Sequence, residues 1–142
     1  MIVEKSQLVP YSAEQMFEMV DDVESYKLFL PWCKASEVLN IDGNDMFARI
    51  GIQKGGINES FSTVNNRKKG HYIRLKLVEG PFSSLTGEWR FFALDDHACK
   101  VSLRLEYEYS SGLIKRVFGM VFNHAANTMV KAFVKRAGEI YD

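Results

Sequence analysis

The sequence has few cysteines and prolines, no excess of either charge, and no long apolar run. Its two cysteines, Cys33 and Cys99, belong to no CxxC or zinc-like pattern, so we expect buried free thiols in a reducing compartment. Because 18 basic residues balance 18 acidic ones, no overall field draws the chain to DNA. The longest apolar stretch, Val117–Val130, is too short to cross a bilayer and is interrupted by polar residues.

The N-terminal segment also lacks the apolar centre of a signal peptide and contains acidic residues. We therefore expect a soluble, cytoplasmic protein, with a peripheral contact at the inner membrane left open. A chain of 142 residues suits one domain over positions 1–142, large enough to bury a real core. Aromatic residues make up 13% of the chain, which indicates a bulky interior or a cavity lined by rings.

The residue pattern predicts the order strand, two short helices, six strands and a long helix. Ser12 and Gln15 have the spacing of a capping box, which predicts the start of the first helix. The second helix is predicted over Val23–Phe29. It ends before Pro31, because the residue that precedes a proline disfavours the helical region.

A period of two then replaces the helical period. The alternating segments are Asp45–Lys54, Ile57–Asn66, Tyr72–Val78, Leu85–Ala93 and Val101–Tyr109. Each has one apolar and one polar face, which is typical of an antiparallel sheet with one face in water. The predicted fold class is therefore α+β, with a curved antiparallel sheet of about seven strands packed on a long C-terminal helix.

That helix is predicted from Leu113 to about Tyr141 and would be roughly 40 Å long. Its predicted apolar stripe, widened by three phenylalanines, consists of Val117, Val121, Ala125, Met129, Ala132 and Ile140. Small residues in mid-helix face large aromatics of the sheet, and this arrangement means either tight packing or a cavity. The pattern alone favours tight packing, because protein interiors are normally close-packed.

Three motifs resemble the coenzyme Q-binding protein family, whose bacterial members are also called ribosome association toxins. They are YKLFLPWC at 26–33, GPFSSLTGEWRF at 80–91, and the strand end EYEY at 106–109 that leads into the long helix. The resemblance covers essentially the whole chain, in the same order.

The resemblance implies a START-like (helix-grip) fold of the polyketide cyclase and lipid-transport superfamily, with an internal cavity. Mitochondrial relatives bind ubiquinone and support respiratory electron transfer, which implies ubiquinone or a similar isoprenoid quinone as ligand and a carrier or chaperone role. A bacterial relative binds the large ribosomal subunit and blocks subunit association, which implies the alternative role. Our leading prediction from sequence is quinone binding, with the ribosomal role as the alternative.

On this fold we predict a ligand pocket lined by Trp32, Ile50, Phe61, Phe82, Leu85, Trp89, Leu105, Val121, Ala125 and Met129. Trp32 is either a lid over the pocket or an ordinary core anchor. Glu59 and His124 are predicted head-group contacts, against the alternatives of a solvated glutamate and a surface histidine. No catalytic cofactor is implied.

Basic side chains of the final helix and the run at 67–69 form a predicted surface for RNA phosphates or anionic lipid: Lys115, Arg116, Lys131, Lys135 and Arg136, with Arg67, Lys68 and Lys69. Lys68, Lys69, Lys115 and Arg116 are the predicted contacts to the ribosome or membrane. The alternative is that these side chains are simply solvated. No acid–base pair, metal set or activated nucleophile stands out, so we predict that the protein is not an enzyme. A polyketide cyclase-like activity is the least favoured alternative.

Overall fold

The computed structural model describes Met1–Asp142 and has the predicted order of elements. Its strands are Ile2–Val9 (β1), Cys33–Asp42 (β2), Asp45–Lys54 (β3), Ile57–Lys68 (β4), Tyr72–Glu79 (β5), Phe82–Asp95 (β6) and Ala98–Tyr109 (β7). Its helices are Ala13–Asp21 (α1), a 3-10 helix over Val23–Leu28, and Gly112–Tyr141 (α2). The predicted fold class is confirmed.

All seven strands form one antiparallel sheet in the order β1-β7-β6-β5-β4-β3-β2. Successive strands from β2 to β7 are therefore neighbours, and β1 closes the far edge beside β7. The alternation predicted for β3 and β7 is confirmed, since their inward positions are mostly buried and their outward positions, apart from the buried Gly51, are exposed or half-buried. The inward face of the sheet and α2 enclose the hydrophobic core.

The strand β2 is the element for which the sequence pattern provides no clear bounds. It lies at the edge of the sheet, and its pairing with β3 is interrupted by register shifts between Cys33 and Ala35 and between Val38 and Asn40. Each shift reverses the faces to which later side chains point, so a simple alternation of polar and apolar residues is lost.

The capping box predicted for α1 is present. The Gln15 amide donates to Ser12 Oγ at 3.1 Å, and the Ser12 amide donates to Gln15 Oε1 at 2.9 Å. The end of α2 is fastened to this region, because the Tyr141 hydroxyl donates to the Gln15 carbonyl at 3.0 Å and the Tyr11 hydroxyl donates to Asp142 at 2.8 Å. These bonds fasten the C-terminal end of α2 to the start of α1.

The buried stripe of α2 is rotated from the predicted one. Its buried members are Phe118, Gly119, Phe122, Ala125, Ala126, Val130, Phe133 and Ala137. Val117 and Ile140, which were predicted to face inward, are both more than half exposed. The three phenylalanines bury more apolar area than the valines and isoleucine, so the helix turns their face to the sheet. No helix in the structure is both long and apolar enough to cross a membrane.

Candidate functional site

A cavity of about 70 Å³ lies between the sheet and the middle of α2. Of the 19 residues that line it, 17 are hydrophobic, so the space favours apolar groups. The sheet contributes most of the wall, and α2 contributes Phe122, Ala125, Ala126 and Met129. These four positions recur at helical spacing and therefore share one face of α2.

The cavity brings together most of the residues predicted from the sequence to line a pocket: Trp32, Ile50, Phe61, Leu85, Trp89, Leu105, Ala125 and Met129. That they hold a ligand stays a prediction. The lining also contains residues that the sequence reasoning missed: Val20, Val23, Tyr26, Ala48, Ile52, Thr63, Asn65, Ile73, Leu75, Phe122 and Ala126. Several of these lie on α1, on the 3-10 helix or on β5, whose distance from the pocket cannot be read from local alternation.

Two of the predicted lining residues do not reach the cavity. Phe82 is buried in an aromatic cluster, with ring centroids 5.7 Å from Phe61 and 4.8 Å from Phe122. Phe61 and Phe122 line the cavity, and Phe82 packs against both rings without reaching it. Val121 is only half-buried and lies on the flank of α2, one residue away from the face that Phe122 shares with Ala125.

Neither predicted head-group contact lines the cavity. Glu59 is half-buried on β4, where it pairs with Ile52, and lies outside the lining. His124 is exposed and lies in a groove on the outer side of α2. The polar groups that do line the cavity are Thr63 and Asn65, which continue the inward alternation of Phe61 along β4. This shared alternation was the available signal for Asn65.

The tyrosine of the lining, Tyr26, already has a hydrogen-bond partner. Its hydroxyl donates to the Val20 carbonyl, and burial raises its pKa well above the ordinary value. The hydroxyl therefore stays protonated and remains committed to the backbone. Tyr26 supplies a ring edge to the cavity wall, and its ring centroid is 5.1 Å from that of Phe133.

Trp32 lines both the cavity and the outer groove. Its side chain is buried, with 5% of the residue exposed. Pro31 and Trp32 belong to the turn that follows the 3-10 helix and leads into β2. Trp32 therefore borders both an apolar interior space and a polar surface groove.

The outer groove is basic. It is lined by Leu28, Phe29, Pro31, Trp32, Lys54, His124, Thr128, Lys131, Ala132, Lys135, Arg136 and Glu139. The single acid, Glu139, is 3.4 Å from Arg136 Nη1, and the Arg136 guanidinium lies 5.3 Å from the Phe29 ring centroid. Lys54, Lys131 and Lys135 have no carboxylate within salt-bridge distance. The groove therefore carries a local excess of positive charge.

The four cations predicted as a contact surface fall into two separate pairs: Lys68 with Lys69, and Lys115 with Arg116. The first pair lies at the β4–β5 turn. Lys68 pairs with Tyr72, which in turn pairs with Arg90 of β6. The second follows Tyr109, which pairs with Phe82 at the start of β6. At about 3.3 Å per residue, these ends of β6 are roughly 26 Å apart. The two pairs do not form one surface, and neither lies in the basic groove.

Comparison with known families gives a match over residues 9–134 to the family described as polyketide cyclase / dehydrase and lipid transport. The chain is also similar over nearly its whole length to proteins named ribosome association toxin RatA. It is 47% identical to the one from Vibrio cholerae over 98% of this chain and 96% of that protein. The identity to the one from Escherichia coli is 42%, over 98% of this chain and 88% of that protein.

A more distant similarity connects the chain to a protein named coenzyme Q-binding protein COQ10 homolog B, mitochondrial, from Xenopus laevis. The identity is 29% over 96% of this chain and 58% of that protein. Among solved structures, a START superfamily protein from Mycobacterium smegmatis superposes with a TM-score of 0.78 at 20% identity, covering 98% of both chains. A Thermus thermophilus protein superposes with a TM-score of 0.85 at 19% identity and covers both chains fully.

Proposed function

The chain belongs to the polyketide cyclase / dehydrase and lipid transport family, and to the part of it that contains the ribosome association toxins, and we propose that it likewise associates with the ribosome. The observation that carries the proposal is the 47% identity over 98% of the chain to a protein with that name. The family resemblance given above implies the large subunit as the partner. This role takes precedence over the quinone-carrier role that led our sequence analysis.

The basic groove supports the proposal, because it has the chemistry that ribosomal RNA requires. Lys131 and Lys135 are four residues apart on α2 and therefore lie on one side of the helix. Lys54 and Arg136 extend the same positive region, and Phe29 adds an aromatic ring. Lysine and arginine bind phosphates largely by charge, and the net charge of zero leaves this local field intact.

The test is co-sedimentation of the purified chain with large ribosomal subunits. We expect the double variant Lys131→Glu/Lys135→Glu to lose association, because two attractive charges become repulsive. The matched control, Lys76→Glu/Lys100→Glu, makes the same change of net charge at exposed positions on the outward face of the sheet. Association retained by the control and lost by the groove variant supports the groove. Association that both variants retain would refute this surface.

A second candidate function is the binding of an apolar ligand, for which ubiquinone or a similar isoprenoid quinone is our proposal. The supporting observations are the apolar cavity and the similarity to a protein named coenzyme Q-binding. At about 70 Å³ the cavity is smaller than the roughly 300–1,000 Å³ typical of small-molecule sites. A quinone ring therefore requires side chains to move, and the flexible thioether of Met129 in the wall suits such adjustment.

This second function is tested by organic extraction of natively purified protein, followed by mass spectrometry of bound lipids. The variant Ala126→Leu places a larger side chain in the cavity and should abolish ligand retention. The matched control Ala132→Leu adds the same atoms in the outer groove, outside the cavity. A quinone or other lipid lost only from Ala126→Leu supports the cavity as its site. Equal retention by both variants would place any lipid elsewhere. Neither candidate function includes a catalytic step.

A further inference from the structure

Two polar side chains interrupt the otherwise apolar lining of the cavity. Thr63 and Asn65 lie two residues apart on β4 and point to the same side of the sheet. Each residue is 6% exposed, so both are shielded from bulk water. A polar group that loses water without gaining a hydrogen-bond partner costs free energy, so both side chains are expected to have partners.

Only part of the Asn65 amide is satisfied within the protein. The Thr63 hydroxyl donates to Asn65 Oδ1 at 2.7 Å, and this bond leaves the amide nitrogen at the other end of the group. Asn65 Nδ2 has no protein partner, yet it is not sealed off by neighbouring atoms. Because the residue is otherwise buried and lines the cavity, the surface open to this nitrogen belongs to the cavity.

We propose that Asn65 Nδ2 is the polar anchor of the cavity and donates a hydrogen bond to a carbonyl oxygen of an otherwise apolar ligand. The inference rests on the second candidate function, ligand binding, and names the chemistry that the ligand must carry. A quinone and a fatty acyl ester share this chemistry, since both join a neutral carbonyl to a long apolar body.

The composition of the wall supports a neutral acceptor over a charged one. None of the 19 lining residues is a lysine, arginine, histidine, aspartate or glutamate. A carboxylate or phosphate head group would therefore enter without a counter-charge, which is costly in an apolar space. The free N–H donors of Asn65 match a carbonyl oxygen, while Ala125 and Met129 on the opposite wall offer the apolar contact that the rest of the ligand needs.

The experiment compares similar apolar ligands that have or lack a carbonyl group. Both tryptophans of the chain, Trp32 and Trp89, line the cavity, so a bound quinone should quench their fluorescence. The first probe is a benzoquinone with a short isoprenoid tail. Its partner has the same tail on a plain benzene ring, and its affinity is measured by displacement of the quinone. Methyl dodecanoate and dodecane form a second pair, which distinguishes an acyl lipid from a quinone.

We expect the wild-type chain to bind one carbonyl ligand about ten-fold more tightly than its hydrocarbon partner. The variant Asn65→Leu should remove that preference by weakening the carbonyl ligand alone. Asn66→Leu is the matched control, because Asn66 is the exposed neighbour on β4 whose amide bonds to Asp45, and it should keep the preference. A preference in the quinone pair identifies a quinone, and one in the ester pair identifies an acyl lipid.

The outcomes separate the anchor from the cavity. If all four probes bind the wild-type chain without a carbonyl preference, ligand binding stands and the anchor is refuted. If none of the probes binds, the ligand-binding function and the anchor fall together. The comparison within the wild-type chain also decides the matter if Asn65→Leu does not fold, because a ratio near one contradicts the proposal without any variant.

Discussion

Gly80 illustrates how a single residue shapes the cavity wall. Its φ is +155°, and a Cβ built there would lie 2.5 Å from the Cβ of Phe61. The close approach holds the start of β6 against Phe61, whose ring lines the cavity. The sequence indicates a break at Gly80-Pro81 from composition alone. It does not indicate that a glycine is required there by contact with a residue on another strand.

We therefore expect Gly80→Ala to destabilise the fold by about 2–3 kcal/mol, since both the φ and the clash oppose a side chain. Gly112→Ala is the control, because its Cβ would meet nothing within 4 Å and its φ is ordinary. Urea unfolding of the two variants and the wild type measures the difference. Equal stability of Gly80→Ala and the wild type would show that the strand shifts without cost.

Cys99 is a second residue whose environment has a measurable effect. It is fully buried, and this burial raises the pKa of its thiol from 9.0 to about 11. The folded state therefore keeps a proton that the unfolded state releases above pH 9. The resulting stabilisation is complete below pH 9 and is lost as the pH rises through 11.

We expect the free energy of unfolding to fall by about 2 kcal/mol between pH 9 and pH 11 on account of Cys99. Other groups titrate in the same range, so the measurement is the difference between the wild type and Cys99→Ala at each pH. The difference should shrink as the pH rises. A difference that stays constant from pH 8 to pH 11 would show that the thiol gains solvent access in the folded state.

At the scale of elements, the sequence predicts what local patterns encode. The cap of α1 and the alternation of β3 and β7 are confirmed, because each depends on neighbours in the chain. The face of α2 that packs against the sheet is rotated by about one residue position from the predicted face. That face depends on which side chains bury the most area against the sheet, and such competition is not visible in the helix alone.

The capping box of α1 provides the prediction at this scale. Ser12→Ala removes the acceptor for the Gln15 amide and should cost about 1 kcal/mol. Ser110→Ala, at an exposed turn position whose side chain makes no hydrogen bond, should be close to neutral. Thermal unfolding of both variants compares them. A Ser12→Ala variant as stable as Ser110→Ala would mean that packing alone holds the start of α1.

At the scale of the whole molecule, the basic groove combines parts of the chain that are far apart in sequence. Lys54 comes from the end of β3, Phe29 follows the 3-10 helix, and Lys131 and Lys135 come from α2. The sequence indicated the basic residues of α2, whereas the positions of Lys54 and Phe29 beside them result from folding. The same holds for most of the cavity lining that the sequence missed. Long-range assembly, rather than residue type, is what a single sequence conceals.

The groove predicts a marked dependence of ribosome association on salt. If four groove cations contact phosphates, raising monovalent salt from about 50 to 200 mM should weaken binding by about 50-fold. The variant Lys131→Glu/Lys135→Glu should show a shallower slope in any binding that remains. Sedimentation at a series of salt concentrations measures both slopes. Salt-independent binding of the wild type would indicate an apolar contact instead.

The position of Trp32 has a thermodynamic consequence when the two candidate functions are considered together. Trp32 lines both the interior cavity and the groove, so a displacement of its side chain alters both. Wherever two binding events share such a wall, each changes the equilibrium constant of the other by the same factor. Cargo that forces the indole outward would then tune the attachment of the protein to its macromolecular partner. Binding of that partner would in turn change the affinity for the ligand, and the position of the Trp32 side chain would couple the two equilibria.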